Sequence, residues 1–484
     1  MIKKRTTFDD RLEFFGQDIR DKIKSGSIKP GDFLISEVDL ARMYNISKNP
    51  VRRVLAELQQ EGLIEKIPCI GNRVCERPAA PAQDVTLTML VYEVCYEMSV
   101  YERAIHRFEQ LHPGVTIRME VVPNAVYKAR IVECMETPSD AAADLIILSD
   151  HHFFELEESG RNSLLLDMSA DEFPVLKELY PQLLPMYTTG GGSERGGGNG
   201  GGGRLKALPI TFSPIVYCCN TGIIPEPEKL RLHNWDDLLE AARAYTIVDA
   251  NGLKRQFGLA STLSFRRWLM FLLQNEGSFF GPDGAPDFAN EANATALQFF
   301  ADLVHSNLLT PEMQGGQHAD HFLFKNNRVA LILSSYYFMN DLRSLPIRWD
   351  VVPAMPGNKR STTLLIGSAI AIPAANPNRA YAQAFAALLA GEVVQADLKT
   401  SACTLPAHRA VAEDRRITNP ELHPEHYHAF IDFMPQVASM MELGLDHGRL
   451  SRVARELTYL WSHMETGEEA CRRIQEQILG DLNV

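Results

Sequence analysis

The sequence predicts an α/β protein in two parts, a small N-terminal helical module and a large body in which strands and helices alternate. Apolar residues recur at helical spacing through most of the first 60 positions, whereas short apolar runs alternate with helical stretches beyond residue 85. With 484 residues the chain is too long for a single hydrophobic core, so two or three domains are expected. A change in charge between the two parts supports this division.

The charge of the chain is unevenly distributed. Residues 1–77 carry 15 basic and 12 acidic side chains, a net charge of +3, whereas the whole chain stands at −13. The remainder therefore carries about −16, and an acidic body is repelled by phosphates. Any contact with nucleic acid is thus expected in the N-terminal part alone.

Composition and targeting signals indicate a cytoplasmic protein. The chain is 45% apolar and 23% charged, as soluble globular proteins are. The basic residues 1–5 precede a polar stretch instead of an apolar core, and no run approaches the ~18 apolar residues that a membrane span needs. We therefore expect no secretory signal and no membrane partner. The eight cysteines show no paired spacing and are expected to be reduced.

The first 77 residues are predicted to form helices followed by a strand pair. The face of a first helix is indicated by apolar residues at 3-4-4 spacing, Leu12, Phe15, Ile19 and Ile23. Ser36, with a carboxylate three residues later, marks the start of a second helix. A third apolar stripe and two strands follow at residues 51–58, 63–67 and 73–76. This order predicts a winged helix-turn-helix, in which the third helix and the wing contact DNA.

Three runs within this module carry a resemblance to a known family. Residues 28–37 (IKPGDFLISE), 46–58 (ISKNPVRRVLAEL) and 61–64 (EGLI) resemble, in order and spacing, the signature of gluconate-repressor-type (GntR) bacterial regulators. The resemblance implies operator DNA as a partner, bound by a homodimer. The DNA-contacting residues that it implies are Ser36, Ser47, Lys48, Asn49, Pro50, Arg52, Arg53, Gly71 and Arg73.

The start of the third helix departs from the pattern of that family. Asn49 and Pro50 stand where hydroxyl residues are usual, and Ile35 replaces a proline. Since proline disfavours a helical conformation of the residue before it, we expect Asn49 to cap the helix and Pro50 to be its first residue. Lys48 would then lie on the turn.

A short linker rich in proline and alanine, residues 78–84, precedes the body at 85–484. Strands are predicted at residues 85–91, 115–122 and 145–148, and helices at 100–111, 235–244, 268–274, 292–304, 381–389 and 468–479. Their alternation indicates α/β lobes with largely parallel sheets. Residues 190–203 contain ten glycines and are followed by a strand-like segment, which favours a flexible surface insertion over a dinucleotide-binding loop.

The body resembles a second family along nearly its whole length. The matching pieces occur in order at residues 86–92, 101–115, 144–148, 207–220, 234–238, 326–337, 349–357, 367–373 and 404–408. Together they are similar to the two-lobed sugar-binding proteins of bacterial import systems, the class that includes maltose-binding protein. The resemblance implies a periplasmic-binding-protein-like (type II) fold whose chain crosses between lobes near residues 209–216, 349–356 and 373–380.

The same resemblance implies a sugar site between the lobes, at loops that follow strand ends. These loops carry Glu93, Tyr96, Ser149, Asp150, His151, Ser213, Phe265, Arg266, Tyr336, Tyr337, Gly367 and Ser368. Tyr337 and Glu93 are the foremost candidates. Since neighbouring side chains of an extended segment point to opposite faces, only one of the two adjacent tyrosines can face the ligand. We expect Tyr337 to stack on the sugar and Tyr336 to pack inward.

A metal-binding alternative rests on His423, His426 and His428, three imidazoles within six residues. They lack a helical i, i+4 pair, so a polar surface loop is the preferred interpretation. The adjacent His151 and His152 are expected to point apart. We therefore expect neither a metal site nor a cofactor.

Enzyme classes find little support in the sequence. It contains no Gly-x-Ser-x-Gly elbow, no phosphate-binding loop of the Gly-x4-Gly-Lys type and no His-Glu-x-x-His. An aminotransferase-like body needs a Schiff-base lysine, and the only Ser-Lys pair, Ser47-Lys48, lies in the predicted DNA-binding module. No catalytic residues are expected.

Two functions remain at this point. The first is a sugar-responsive transcriptional regulator in which a carbohydrate or related solute, bound between two lobes, controls operator binding. The alternative is a solute-binding protein whose N-terminal domain serves assembly only. The basic residues on the third helix and wing favour the first.

Overall fold

A computed structural model of the protein describes residues 8–24, 27–44, 46–60, 62–67, 71–75, 84–136, 142–189, 203–306, 319–343 and 345–479. The elements fall into an N-terminal head, up to Cys75, and a larger body from Asp84 onwards. The predicted linker lies almost entirely outside the described residues.

The head contains three helices and a two-stranded sheet. They are α1 (Phe8–Lys24), α2 (Glu37–Met43), α3 (Lys48–Gln60), β1 (Ile64–Ile67) and β2 (Gly71–Val74). The apolar stripe predicted for the first helix is buried at Phe15, Ile19 and Ile23, where it packs with apolar residues of α2, α3 and both strands. The side chain of Leu12 lies outside the described residues.

The third helix begins earlier than the sequence predicts. It starts at Lys48, so the expectation that Asn49 caps it and Pro50 opens it is wrong. Pro50 is the third residue of the helix, within the first turn, where a backbone N–H has no partner inside the helix. The first ladder bond runs from Val51 N to Ser47 O, 3.4 Å, one residue past the proline. Lys48 therefore belongs to the helix and not to the preceding turn.

The wing is an antiparallel hairpin in which Ile64 pairs with Val74 and Ile67 with Gly71. Gly71 has a φ of +150°. A Cβ atom added at Gly71 would lie 3.6 Å from the ring of Phe33. Residues just before α2 extend this sheet, since Gly31 N donates to Val74 O and Leu34 N to Asn72 O. The wing is thus fixed to the helical part of the head.

The body alternates strands with helices, as predicted. Its strands are β3 (Val85–Tyr92), β4 (Val115–Val122), β5 (Leu145–Ser149), β6 (Thr188–Thr189), β7 (Arg204–Leu205), β8 (Ala207–Asn220), β9 (Ile247–Val248), β10 (Lys254–Ala260), β11 (Val329–Ser335), β12 (Trp349–Val351), β13 (Thr363–Ala371), β14 (Leu405–Pro406) and β15 (Val437–Ala438). The predicted strands at 85–91, 115–122 and 145–148 all form, each within one residue of its predicted bounds.

All six helices predicted for the body are present, and the described residues form further helices that were not predicted. They are α4 (Met98–Leu111), α5 (Asn124–Glu136), α6 (Asp150–Glu158), α7 (Trp235–Ala244), α8 (Phe265–Gln274), α9 (Glu291–His305), α10 (Ala319–Lys325), α11 (Arg379–Ala390), α12 (Glu392–Ser401), α13 (Arg409–Glu413), α14 (Ala429–Asp432), α15 (His447–Glu456), α16 (Thr458–Trp461) and α17 (Gly467–Ile474). The last helix is predicted to reach residue 479. Its α-helical part ends at Ile474, and the residues that follow, Gln475–Leu479, form a π-helical turn. Within the described part of the chain, no helix combines the length and the apolar character that a membrane span requires.

One mixed sheet runs through the body in the order β4-β3-β5-β13-β8-β11-β10-β9. The outer pairs β3/β5 and β10/β11 are parallel, but β13 and β8 run antiparallel to each other and to their outer neighbours β5 and β11. The prediction of largely parallel sheets is therefore wrong at the centre. Periodicity reveals strands but not the direction in which a long strand returns between two lobes.

The two central strands are shared by both lobes. In β8, Ala207–Pro214 pairs with β13, and Ile215–Cys219 pairs with β11 of the second lobe. The predicted crossing at 209–216 coincides with this change of partner. The second shared strand is β13, which lies between the two later predicted crossings at 349–356 and 373–380.

Each lobe is completed by its own helices. In the second lobe α9 packs against α8, and the C-terminal α17 packs against α9. In the first lobe α11 packs against β8 and α12 against β14. The glycine-rich segment joins the short antiparallel pair β6/β7, and its residues 190–202 lie outside the described residues.

Candidate functional site

The exposed side of α3 carries the basic residues of the head. Buried Val51, Val54, Leu55 and Leu58 face the core, so the intervening positions are exposed. Lys48, Arg52 and Arg53 project there within the first two turns, and the exposed fractions of the two arginine side chains are 63% and 67%. Ser47 and Asn49 are exposed beside Lys48, and Pro50 is half-buried. A basic helix start of this kind can meet phosphates and base edges.

Two arginines of the head, one on α3 and one on the wing, form hydrogen bonds with carboxylates of the head. Arg52 Nε donates to Glu37 Oε2 on α2 at 2.7 Å, and Arg73 Nε on the wing donates to Glu65 Oε1 at 2.8 Å. Both pairs are exposed, so their own contribution to stability is small. They orient the guanidinium groups without withdrawing them from solvent. Ser36 plays a local role, because its hydroxyl accepts from Asp39 N and caps α2.

Polar side chains from both lobes meet where β8 and β13 cross the body. We call this set the interlobe cluster, and it consists of Tyr92, Asp150, Thr211, Arg266, Tyr337 and Ser368. The hydroxyls of Tyr92 and Ser368 lie 2.9 Å apart. Those of Thr211 and Tyr337 lie 2.8 Å apart, and Arg266 Nη2 donates to Asp150 Oδ2 at 2.7 Å. The last two contacts join the second lobe to the first.

The backbone of β13 passes close to this cluster at a bulge. The register between β13 and β8 shifts between Ser368 and Ala369, and Gly367 N lies 3.5 Å from Asp150 Oδ1. A Cβ at Gly367 would stand 2.8 Å from Thr211 O and 3.2 Å from the hydroxyl of Tyr187. Only glycine therefore fits at this position. Bulges of this kind occur beside functional sites, where they redirect side chains.

Burial dominates the electrostatics of the cluster. It raises the pKa of Tyr92 and of Tyr337 well above the usual value, so both hydroxyls stay protonated and can donate. Nearby, burial also raises the pKa of Glu97, whose Oε2 accepts from the thiol of Cys95 at 3.1 Å. Tyr187 OH is buried without a hydrogen-bond partner among the described residues. Unsatisfied buried hydroxyls are costly, so a polar ligand is a natural partner for this group.

The structure brings together only part of the predicted ligand set. Asp150, Arg266, Tyr337, Gly367 and Ser368 meet in or against the interlobe cluster. Tyr96 lies at another lobe-to-lobe contact, where its hydroxyl donates to Asp341 Oδ1 at 2.9 Å.

The other predicted ligand residues lie elsewhere. The side chain of Glu93 is exposed on the bend after β3. Ser149 caps α6 through His152, and Ser213 is buried on β8, where its hydroxyl accepts from Tyr336 N at 2.9 Å. Phe265 and His151 both lie near His447, with ring centroids 6.4 and 4.8 Å from its ring.

The two adjacent tyrosines separate as expected, though for a different reason. They open a 3₁₀ helix, Tyr336–Leu342, instead of continuing an extended strand. Tyr336 is fully buried and packs against Phe430 and Tyr427, with centroids 4.7 and 5.5 Å away. Tyr337 points the other way, to Thr211 of the first lobe.

Sequence reasoning missed four residues of this region, Tyr92, Glu97, Thr211 and Tyr187. Tyr92 and Thr211 lie within strands, whereas the predicted ligand residues were expected in the loops that follow strand ends. Glu97 comes four residues after Glu93 and turns inward at the start of α4. Tyr92 is the last residue of β3, which is buried at five consecutive positions, so no alternation in this strand distinguished Tyr92 from the residues before it.

The histidine-rich segment near residue 425 does not assemble a metal site in the described structure. His423 Nε2 bonds the carbonyl of Lys399 at 2.8 Å, while His426 Nδ1 bonds Asp350 Oδ2 at 2.8 Å. The segment is also not the polar surface loop predicted, because His423 is buried and stacks on buried Tyr427.

Comparison with known proteins agrees with this architecture. Residues 96–396, more than half of the chain, match the model of the bacterial extracellular solute-binding proteins. The chain belongs to this family. Residues 13–74 match the bacterial regulatory proteins of the gntR family, so the chain joins a GntR-type head to a solute-binding body, which confirms the predicted fusion.

A curated relative covers the head alone. It is an uncharacterized HTH-type transcriptional regulator in the TAR-I ttuE-ttuC' intergenic region of Agrobacterium vitis, 30% identical over 67 residues. The match covers 14% of this chain and 39% of that protein. The chain thus spans well under half the length of this relative.

Solved structures resemble the body in fold. An ABC substrate-binding protein of Listeria monocytogenes, in complex with cycloalternan, has a TM-score of 0.66 at 16% identity, covering 83% of this chain and all of that one. Maltose-bound MalE3 of T. maritima scores 0.65 at 18% identity, over 82% of this chain and 100% of its own. The GacH receptor of Streptomyces glaucescens scores 0.66 at 17% identity, over 82% and 99%. This likeness confirms the two-lobed fold.

Proposed function

We propose that this protein is a transcriptional regulator controlled by a carbohydrate or related small solute. Its head binds operator DNA, and its body binds the effector between the two lobes. The observation that carries the proposal is the presence, in one chain, of a basic helix start on a GntR-type head and a polar interlobe cluster in a solute-binding body. A protein that acts on DNA operates in the cytoplasm.

DNA binding is supported by the surface of α3 and the wing. The exposed Lys48, Arg52 and Arg53 lie near the helix N-terminus, and Arg73 lies on the hairpin. Phosphate contacts by lysine and arginine give affinity that falls with salt, and an arginine can also read guanine in the major groove. Heads of this kind act as two-fold dimers, so we propose a homodimer on a palindromic operator.

A sugar effector is supported by the chemistry of the interlobe cluster. Tyrosine rings offer apolar faces to sugar C–H groups, while the carboxylate of Asp150 and the guanidinium of Arg266 can satisfy hydroxyls. The similar structures are named as complexes with cycloalternan, with maltose and with acarbose. A related solute is therefore the effector class that we propose for this chain.

Regulation would follow from the two lobe-to-lobe contacts of the cluster. A ligand that binds better when Arg266 and Tyr337 reach Asp150 and Thr211 shifts the population toward that arrangement. If the arrangement changes operator affinity, the coupling is expected at about 1–3 kcal/mol, or roughly 5- to 150-fold.

Two experiments on the full chain test this function. Selection from random DNA at moderate salt should enrich a palindromic sequence. A thermal-shift panel of mono- and oligosaccharides should then identify an effector, and that compound should change affinity for the selected operator.

The alternative function gives different outcomes. If no DNA sequence is enriched while a sugar still raises the melting temperature, the head serves assembly and the protein is a binding protein only. If an operator is found but no sugar alters either readout, the sensing role of the body is refuted.

A further inference from the structure

We propose that His151, Glu155 and His447 bind a transition metal ion of the Zn²⁺ type and that the ion links the two lobes. One donor atom of each residue lies within 4.8 Å of the other two. His151 Nε2 is 3.9 Å from Glu155 Oε2, and the two imidazole centroids are 4.8 Å apart. His151 and Glu155 are four residues apart on α6, so they share one face of the helix.

The donor set suits a borderline metal ion. Two imidazoles and one carboxylate are ligands that Zn²⁺ prefers, with a fourth position left for water. Metal–donor bonds of about 2.0–2.2 Å in a tetrahedron place donors about 3.4 Å apart. The donor atoms in the structure lie within 4.8 Å of one another, so their separations exceed this value by at most about 1.4 Å, a gap that side-chain rotation can close.

Neighbouring groups hold these side chains in place. Lys128 Nζ donates to Glu155 Oε1 at 2.9 Å, which leaves Oε2 directed at His151. Glu158 Oε2 lies 3.6 Å from His447 Nδ1, which leaves Nε2 of that ring for an ion. A carboxylate behind a ligating histidine is the usual device that orients the ring.

The approach of Glu158 depends on a glycine. A Cβ at Gly448 would stand 2.3 Å from Glu158 Oε1, so a side chain there would displace the carboxylate. The ring of Phe154 covers His447 on one side, at 5.7 Å. The imidazole of His447 therefore lies between the carboxylate of Glu158 and the ring of Phe154.

The two halves of the site come from different lobes. Helix α6 follows β5 of the first lobe and begins at Asp150, the residue that pairs with Arg266. Helix α15, which begins at His447, packs against α8 and α17 of the second lobe as well as against α6. An ion on all three ligands would favour the arrangement in which the lobes meet, because it binds that arrangement better than any other.

Zinc binding is measured on the untagged full-length protein after treatment with a chelator. Competition with a chromogenic zinc indicator gives the affinity, and Co²⁺ substitution gives visible absorption bands typical of tetrahedral coordination. Wild-type protein should bind one more Zn²⁺ than His447→Ala, and Zn²⁺ should raise its melting temperature. His233→Ala removes an exposed histidine on another surface and should behave as wild type.

The outcomes separate this site from adventitious binding. Loss of one zinc equivalent, or at least a tenfold weaker affinity, in both His447→Ala and Glu155→Gln supports the proposal. Equal zinc binding by wild type and both variants overturns it, as does absence of binding by the wild type. His151→Asn provides an independent test if His447→Ala fails to fold. Neither sugar nor DNA is required, so the result stands apart from that for the proposed function.

Discussion

Replacement of Tyr337 by alanine tests the interlobe cluster most directly. The change removes an aromatic face and the hydroxyl that lies 2.8 Å from that of Thr211. The aromatic face is worth about 1–1.5 kcal/mol against a sugar ring. A buried hydroxyl left without its partner costs about 1 kcal/mol more. Together they amount to about 2 kcal/mol, so sugar binding should weaken roughly thirtyfold.

Calorimetry with the sugar found in the thermal-shift panel measures this loss. Tyr337→Phe keeps the ring and removes only the hydroxyl, so its affinity for the sugar should fall roughly fivefold. Tyr336→Phe is the matched control, because its ring keeps the packing against Phe430 and Tyr427 and faces away from the cluster. Operator binding by the sugar-free protein should be retained in all three. Wild-type sugar affinity in Tyr337→Ala would refute the placement of the sugar in the cluster.

Three further predictions concern the head, the dimer and pH. Arg52→Ala should weaken operator binding by about 1–3 kcal/mol in a gel shift, and unchanged affinity would remove it from the interface. Sedimentation of the protein on its operator should show two chains per site, and one chain would contradict the two-fold arrangement. Burial lowers the pKa of His152 to about 4, so unfolded protein takes up a proton there as pH falls below about 6.5. The melting temperature, followed by tryptophan fluorescence, should therefore fall between pH 6.5 and 4, and fall less in His152→Gln.

The sequence predicts elements well where their signals are local. The stripe through Phe15, Ile19 and Ile23 and the cap at Ser36 need no knowledge of the rest of the chain, and all are observed. The predicted start of α3 is two residues too late, because the effect of Pro50 on the conformation of Asn49 does not prevent a helix from beginning at Lys48. Proline has no backbone N–H, but an N–H in the first turn of a helix has no acceptor within the helix. The helix can therefore include Pro50 without losing a hydrogen bond.

The mixed sheet could not be deduced in the same way. Strands β8 and β13 are antiparallel because the chain enters the second lobe along one and returns along the other. Apolar periodicity is the same in either direction, so only the resemblance to two-lobed proteins carried this information. It implied crossings near residues 209–216, 349–356 and 373–380; the first range contains the point where β8 changes partner from β13 to β11, and the other two lie on either side of β13.

For the candidate site, sequence reasoning identified the loops better than the side chains. The sequence predicts Glu93 as the ligand residue of the loop after β3, yet that carboxylate is exposed, and Glu97 of the same loop is buried near Tyr337. Which carboxylate turns inward depends on the bend at 93–97 and on where α4 begins, and both are set by tertiary packing. Asp150 and Arg266 are both in the predicted ligand set, but the sequence gives no sign that they pair with each other.

The pairing of Asp150 with Arg266 gives the site a property that neither residue has alone. Their ion pair is largely buried, with 7% and 26% of the side chains exposed, and it spans the two lobes. When the lobes part, each charge regains water, so the pair itself adds little net stability to the closed arrangement. A bound sugar that accepts from a remaining donor, such as Arg266 Nε, which has no hydrogen-bond partner among the described residues, adds interactions that only the closed arrangement offers. Ligand binding can therefore determine whether the lobes of the body are open or closed.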